Sequence, residues 1–198
     1  MKFLSSKKIL VFIALIAVSF SGFAEADRIL RFDAGVCSGY PFYGDQQISE
    51  SNDTFNNGVY NRFFIGPVIN LSFKISKPFK FVLGADTLFD LVWNGSLYNN
   101  HFDYACYGGV KFYPGLKGFN AGVYYAGGQR LDYCNQSDVA PLFNATSWGN
   151  GFRISLEYDF LYESSSEVMP VLGVYYRFMP RGYYTYDNIL AFYIMLAY

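Results

Sequence analysis

The feature that most constrains this chain is a strict two-residue alternation of apolar and polar side chains. In residues 148–160, apolar residues occupy every even position from Phe152 to Phe160, and the odd positions between them carry Arg153, Ser155, Glu157 and Asp159. Successive side chains of a β-strand point to opposite faces of the sheet. This segment is therefore predicted to be a strand with one apolar face and one charged face.

The same period recurs along the chain and predicts eight strands. They are Ile29 to Ser38, Val59 to Lys74, Phe79 to Trp93, His101 to Tyr113, Phe119 to Gly127, Trp148 to Phe160, Val168 to Met179 and Ile189 to Tyr198. The apolar faces of these strands contain no charged residue, whereas the opposite faces carry charges of both signs separated by glycines. The pattern predicts an all-β, antiparallel fold.

The N-terminal segment has the composition of a secretory signal. Met1 to Ala24 carries three lysines, then an uncharged apolar run from Ile9 to Phe20, then small residues at Gly22 and Ala24. A run of about 12 residues is too short for the ~20 that a spanning helix needs. We therefore predict a cleaved signal peptide over residues 1–24 and a single domain over residues 25–198.

Charge and cysteine content exclude several classes of function. Removing the three signal lysines from fifteen basic residues leaves twelve against sixteen acidic ones, a net charge of −4, which disfavours a nucleic-acid partner. Cys37, Cys106 and Cys134 show no Cys-x-x-Cys spacing and have no histidine beside them, so neither a metal site nor a cofactor is predicted. Cys106 falls on the apolar face, and a disulfide between Cys37 and Cys134 stays open.

Alternation alone does not decide whether the apolar face points into the barrel or out into lipid. The interior of an eight-stranded barrel is just wide enough for side chains to fill. The apolar face carries too many aromatic rings for that space, whereas the charged face is thinned by glycines. Aromatic residues also cluster at the strand ends, as in the two girdles of a membrane barrel. The prediction is an eight-stranded antiparallel transmembrane up-and-down β-barrel in contact with outer-membrane lipid.

Loop lengths predict the orientation of this barrel. The connections Gly39 to Gly58 and Gly128 to Ser147 are long and Met179 to Asn188 is moderate, whereas Ile75 to Pro78 and Tyr113 to Gly118 are tight. Long connections follow odd-numbered strands, as expected for external loops when both chain ends lie in the periplasm. Two connections depart from the rule, a short outer loop over Asn94 to Asn100 and a longer inner one over Leu161 to Glu167.

The last strand carries a resemblance. Ile194 and Leu196 precede a terminal aromatic residue, Tyr198, and the whole predicted barrel resembles the small eight-stranded outer-membrane proteins of the OmpW, OmpX and OmpA-barrel group, with OmpW-like favoured. The resemblance implies that this terminal segment is read by the outer-membrane assembly machinery. An OmpW-like protein would pass small apolar solutes.

The charged face is predicted to line the lumen. Arg31, Arg62, Arg153 and Arg177 are expected to pair with Asp33, Asp86, Glu157 and Asp159 in a narrow tube and to block it, since unpaired buried charges are costly. The full predicted network is Arg31, Asp33, Arg62, Asp86, Asp90, Asp103, Lys111, Arg153, Glu157, Asp159 and Arg177. These residues favour a narrow or gated conduit for small, apolar solutes that conducts ions poorly.

Two other functions are compatible with the sequence. An adhesin or structural barrel would bind a host or matrix surface through outer aromatic residues, which would otherwise belong to the upper girdle: Tyr40, Phe42, Tyr43, Tyr183, Tyr184 and Tyr186. A lipid-modifying enzyme would use His101, the only histidine, with Ser96 and Asp103 near it. We interpret His101 instead as a rim residue at the water interface, and predict that the protein is not an enzyme.

Overall fold

A computed structural model describes residues 29–45, 48, 50–52, 55–136, 139–162, 168–182 and 185–198. The predicted signal peptide, residues 1–24, lies outside the described residues. Nine strands are present in the described part: β1 (Leu30–Tyr43), β2 (Asn61–Lys74), β3 (Phe79–Asn94), β4 (Leu97–Phe112), β5 (Phe119–Gln136), β6 (Val139–Ala145), β7 (Gly149–Asp159), β8 (Met169–Pro180) and β9 (Tyr186–Ala197).

The strands form one antiparallel sheet that closes on itself. Neighbouring strands follow the order β4-β3-β2-β1-β9-β8-β7-β5, and pairing of β4 with β5 completes an eight-stranded barrel. The last strand pairs with the first, where the amide nitrogen of Tyr198 donates to the carbonyl of Phe32 at 2.9 Å. No helix among the described residues is long and apolar enough to cross a membrane.

The two faces of the barrel wall have opposite chemistry. Outward-facing residues are large, apolar and exposed, among them Val123, Leu156 and Phe192, the last with 69% of its surface exposed. Inward-facing residues include Arg153 and Arg177, which are fully buried. An apolar exterior around a charged interior is favourable only when lipid surrounds the barrel. The predicted fold class of a transmembrane barrel is confirmed.

The predicted long loop over Gly128 to Ser147 is wrong. Strand β5 continues to Gln136 and the chain returns as β6, with Leu131 opposite Ala145. Strand β5 therefore pairs with β7 as far as Gly128, which is opposite Gly149, and pairs with β6 beyond that point. The two-residue period persists here, because Arg130 and Asp132 are buried while the Tyr133 ring packs on that of Phe143 at 4.9 Å.

The barrel wall is also higher than predicted at four other strands. β1 runs on to Tyr43 and β9 already begins at Tyr186. β3 and β4 continue to a two-residue turn at Gly95 and Ser96, where a loop over Asn94 to Asn100 had been expected; Gly95 takes the left-handed backbone that this turn requires (φ 61°). The tight turns 75–78 and 113–118 are as predicted. We call the end of the barrel with these tight turns the turn end, and the other end the mouth.

Candidate functional site

The centre of the lumen holds a guanidinium surrounded by tyrosines. The Cζ atom of Arg153 lies 4.1 Å from the ring centroid of Tyr107 and 4.3 Å from that of Tyr175, with Tyr124 and Tyr193 at 5.4 and 5.6 Å. Its nearest carboxylate oxygen, on Asp86, is 3.6 Å from Nε. The positive charge is therefore stabilised largely by the faces of four aromatic rings.

Glycines on neighbouring strands make room for these tyrosines. Gly84 is opposite Tyr107 in the register and Gly173 is opposite Tyr193, and a Cβ atom at either glycine would overlap the facing ring. A lumen of this width therefore accommodates a large ring on one strand where its neighbour has no side chain.

A second cluster lies in the lumen towards the turn end. Lys111 Nζ is 2.5 Å from Glu157, which also accepts a hydrogen bond from Tyr193 at 2.5 Å. Arg31 pairs with Asp33 at 2.5 Å and also with Asp159. These buried carboxylates each have a cationic partner, which offsets part of their desolvation cost.

A third cluster connects the lumen centre to the mouth. Arg177 pairs with both Asp86 and Asp103, and Arg181 Nη2 donates to Asp103 at 2.5 Å. Arg181 Nε donates to Asp187 at 3.1 Å, and Asp187 also accepts from Arg130 Nη1 at 2.6 Å. Acid and base alternate along this chain of contacts, and all of these side chains are buried.

His101 lies inside the mouth and is not the water-exposed rim residue we predicted. It is 1% exposed, with Nδ1 at 2.7 Å from Asp132 and Nε2 at 3.2 Å from the side-chain oxygen of Asn52. Its parity on β4 directs it into the lumen, and the first loop covers it through Asn52, which also bonds Asn99 at 2.7 Å. Ser96, its predicted neighbour, instead accepts a bond from Asn135 through its carbonyl.

The barrel wall is incomplete between β1 and β2. Their register runs from Leu30 opposite Phe73 to Cys37 opposite Gly66 and then ends. Both strands continue towards the mouth, β1 paired with β9 as far as Tyr43 and β2 paired with β3 from Asn61. We call this unpaired region, residues 38–43 and 61–65, the β1–β2 seam.

Side chains close the β1–β2 seam in place of a backbone ladder. Ser38 Oγ donates to the Phe64 carbonyl at 2.8 Å, and the ring of Phe64 packs on that of Tyr40 at 5.4 Å. The Arg62 guanidinium lies over both rings at 4.9 and 5.3 Å and bonds both carboxylate oxygens of Asp90, at 2.8 and 2.9 Å. The β1–β2 ladder, the usual source of barrel closure, does not extend into this stretch of the described wall.

A groove of about 330 Å³ lies beside the seam. It is lined by Val36, Cys37, Ser38, Phe63, Phe64, Ile65, Phe192, Tyr193 and Ile194, drawn from β1, β2 and β9. Several of these residues, such as Phe63 and Phe192, face outward and are exposed. The groove therefore opens towards the apolar surroundings of the barrel.

The predicted lumen residues are distributed over these clusters, with some partners that differ from those expected. Arg62 bonds Asp90 at the seam, and Arg153 is held by tyrosines more than by a carboxylate. Four further lumen residues were not predicted, because they lie in segments that were assigned to loops: Arg130, Asp132, Arg181 and Asp187. Continuation of the two-residue period through Arg130 and Asp132 was the signal that could have found the first two.

The outer aromatic residues that the structure describes do not form one surface. Tyr40, Phe42 and Tyr186 face outward and are about half exposed, whereas the hydroxyl of Tyr43 donates to Asp90 at 2.7 Å inside the barrel. Tyr183 and Tyr184 lie outside the described residues. At the other chain end, Ile194 and Leu196 face outward, and Tyr198 is partly buried.

All three cysteines are free thiols, so Cys37 and Cys134 form no disulfide. Cys37 is buried in the wall, with Sγ 3.6 Å from the carbonyl of Thr87, and Cys106 faces outward. Among the described residues, no cluster of His, Cys, Asp and Glu side chains could hold a metal ion.

Comparison with known proteins identifies the fold. No protein family's sequence profile matches the chain, and no curated protein matches it in sequence. The structure of Ail, the attachment invasion locus protein of Yersinia pestis, superposes with a TM-score of 0.60 at 6% identity, over 85% of this chain and 97% of Ail. Ail in complex with the heparin analogue sucrose octasulfate gives 0.59 over the same shares, again at 6% identity. Neisserial surface protein A gives 0.50 at 9% identity, over 85% of this chain and 96% of that one. The chain thus has the fold of the small eight-stranded outer-membrane β-barrels.

Proposed function

We propose that the protein is a narrow conduit of the outer membrane, which passes small apolar solutes from the mouth sideways into lipid through the β1–β2 seam. The observation that carries this proposal is the end of the β1–β2 ladder at Cys37 and Gly66, while both strands continue. The outer-membrane orientation predicted from loop length places this seam in the outer leaflet.

The energetics favour the side route over the axial one. Passage along the lumen requires separating buried ion pairs such as Arg177 with Asp86, and removing one partner of such a pair costs about 3–5 kcal/mol. Opening the seam requires moving Phe64 and Tyr40 away from the Arg62 guanidinium that lies over their rings. It also breaks the hydrogen bond from Ser38, which contributes about 0.5–1.5 kcal/mol. Ions, which cannot enter lipid, are not carried by either route.

Two features of the sequence belong to the same proposal. Residues 1–24 direct the chain to the envelope as a cleaved signal peptide, and Ile194, Leu196 and Tyr198 form the segment that the assembly machinery reads. An OmpW-like relationship would agree with the proposed solute class. We include the absence of enzymatic activity in the proposal, since His101 is covered by Asn52 and bonded to Asp132.

A locked seam tests the conduit. In a background with Cys37, Cys106 and Cys134 replaced by alanine, Ser38→Cys and Ile65→Cys place a disulfide across the seam. The matched control, Ala34→Cys with Ile69→Cys, joins residues that already face each other in the ladder. Proteoliposomes should take up a small apolar probe faster than empty vesicles, with little ion current. Oxidation should abolish this uptake for the seam pair alone, and reduction should restore it; unchanged uptake in the oxidised seam pair would refute the route.

A surface-binding function is the second candidate, and the β5–β6 hairpin favours it. Leu142 and Phe143 of β6, which pair with β5, are 58% and 61% exposed. Ail, which has the same fold, is an attachment protein by name. Replacing both residues by serine should weaken binding to host or matrix surfaces if the hairpin is an adhesive element, and should leave solute uptake unchanged if the conduit is the function.

A further inference from the structure

The direction of the peptide groups at the seam follows from the two ends of β1. Lys74 donates its amide to the carbonyl of Ile29 at 2.9 Å, so odd-numbered residues of β1 and even-numbered residues of β2 direct their peptide groups at each other. Tyr198 donates to Phe32, which shows that even-numbered residues of β1 face β9 instead. The parity holds along the whole register, from Leu30 to Cys37.

Beyond the ladder, this parity leaves peptide groups facing the seam without a partner strand. On β1 they belong to Gly39, Pro41 and Tyr43, and on β2 to Phe64 and Arg62. Pro41 has no N–H to leave unpaired, which suits a strand edge. Ser38 already occupies the carbonyl of Phe64, and the Phe64 N–H, which by this parity is directed at Gly39, lies beyond the end of the ladder.

The groove beside these groups has the size of a small-molecule site. Its volume of about 330 Å³ is within the usual range for ligand pockets. At about 30 Å³ for each water-sized group, it has room for a molecule of roughly ten such groups. Its lining residues are mainly apolar, with Cys37, Ser38 and Tyr193 as the exceptions. Unpaired peptide groups in lipid are costly, so a ligand that bonds them is favoured over one that does not.

We propose that the β1–β2 seam binds neutral molecules with an apolar body and one amide-like or hydroxyl-like group, which bonds the peptide groups of Phe64 and Gly39. This inference rests on the proposed conduit and names its substrate class. The polar group must be neutral, because the one cation at the seam, Arg62, is already bonded by both oxygens of Asp90.

A matched pair of probes measures the preference. Naphthalene and 2-naphthamide share an apolar body, and only the second carries a hydrogen-bonding group. Uptake into proteoliposomes, divided by uptake into protein-free vesicles, should be about three- to tenfold greater for the amide, the factor expected from one net hydrogen bond. Equal ratios for the two probes would overturn the inference while leaving the conduit intact. No protein-dependent uptake of either probe would refute the conduit itself.

Two variants at one position isolate the peptide N–H. Phe64→Ala and Phe64→Pro both remove the ring, but only the proline removes the amide hydrogen that faces the seam. The preference for 2-naphthamide should persist in Phe64→Ala and disappear in Phe64→Pro. Persistence in a folded Phe64→Pro, judged by its heat-dependent shift in detergent gels, would overturn the assignment. Should Phe64→Pro fail to fold, the ratio of the two probes in the unmodified protein decides the question.

Discussion

The centre of the lumen and the β1–β2 seam close the same barrel by different means. At the centre, Arg153 and Arg177 are fully buried among tyrosines and carboxylates held on several strands, so any displacement disturbs many groups together. At the seam, one hydrogen bond and a few aromatic contacts join β1 to β2. A barrel can therefore be blocked along its axis and still be weak at its side.

The largest effect should come from breaking the lumen. Arg177→Met removes the partner of Asp86 and Asp103 and leaves two buried carboxylates with less compensation, so the barrel should lose about 3–5 kcal/mol. Urea unfolding in detergent would measure the loss.

Arg153→Met is the matched comparison for this variant. It removes a cation that is held mainly by tyrosine rings, so it should cost less, about 1–2 kcal/mol. An equal or greater loss in Arg153→Met would contradict the assignment of the lumen's stability to its ion pairs.

Away from the seam, outward-facing positions on strands with a continuous ladder should be destabilised by a polar or charged side chain. Leu156 faces outward on β7, where the register with β5 and β8 is continuous, so Leu156→Arg should cost about 2–4 kcal/mol in lipid. Leu156→Met keeps the side chain apolar and should cost less than about 1.5 kcal/mol. Unfolding in lipid vesicles provides the measurement, and a negligible cost for arginine would place this face out of contact with lipid.

A smaller effect on stability, with a larger one on uptake, is expected at the seam. Phe64→Ala removes a half-buried ring that fills the gap, so it should cost about 1–2 kcal/mol and raise the population of the open seam about 5- to 30-fold. Uptake of an apolar probe should rise with it. The control, Phe81→Ala, removes an outward ring from a laddered part of β3 and should leave uptake unchanged.

The smallest change tests the single hydrogen bond. Ser38→Ala should cost about 0.5–1.5 kcal/mol and raise uptake about two- to tenfold, because the Phe64 carbonyl loses its donor. Ser72→Ala lies on β2 where the ladder is intact, and its uptake should match the unmodified protein. Similar uptake in both variants would show that the bond from Ser38 does not hold the seam.

The sequence predicted what depends on side-chain parity. Alternation in the segment around Leu156 is uninterrupted, and there the strand and the direction of each face were predicted correctly. Beyond Gly127 the outward positions become mixed in polarity, so β5 was ended there although Arg130 and Asp132 kept the inward parity. Outward residues at these strand ends need not be apolar, so the apolar half of the pattern ends there.

The ion-pair partners in the lumen and the extent of the seam could not be predicted from the sequence, because both depend on how the strands pair. The contact of Arg177 with Asp86 joins strands far apart in the chain, and it depends on a register that no local pattern determines. The odd position of Tyr107 on β4 already indicated that it faces the lumen, but its place opposite Gly84 depends on the pairing of β3 with β4. Pro41 was the local sign of an unpaired edge, since its odd position on β1 faces β2.

The absence of a donor at Pro41 has a consequence for timing. A ladder opens by cooperative loss of successive hydrogen bonds between peptide groups, a process of local unfolding that extends from microseconds to seconds. Because Pro41 interrupts any such ladder, closure at this point rests on the rotamers of Phe64, Tyr40 and Arg62. The rotamer of an exposed side chain such as Tyr40 exchanges in picoseconds to nanoseconds. The side of the barrel is therefore expected to fluctuate many times during the stay of one solute, so that the seam sets selectivity and diffusion in the surrounding lipid sets the rate.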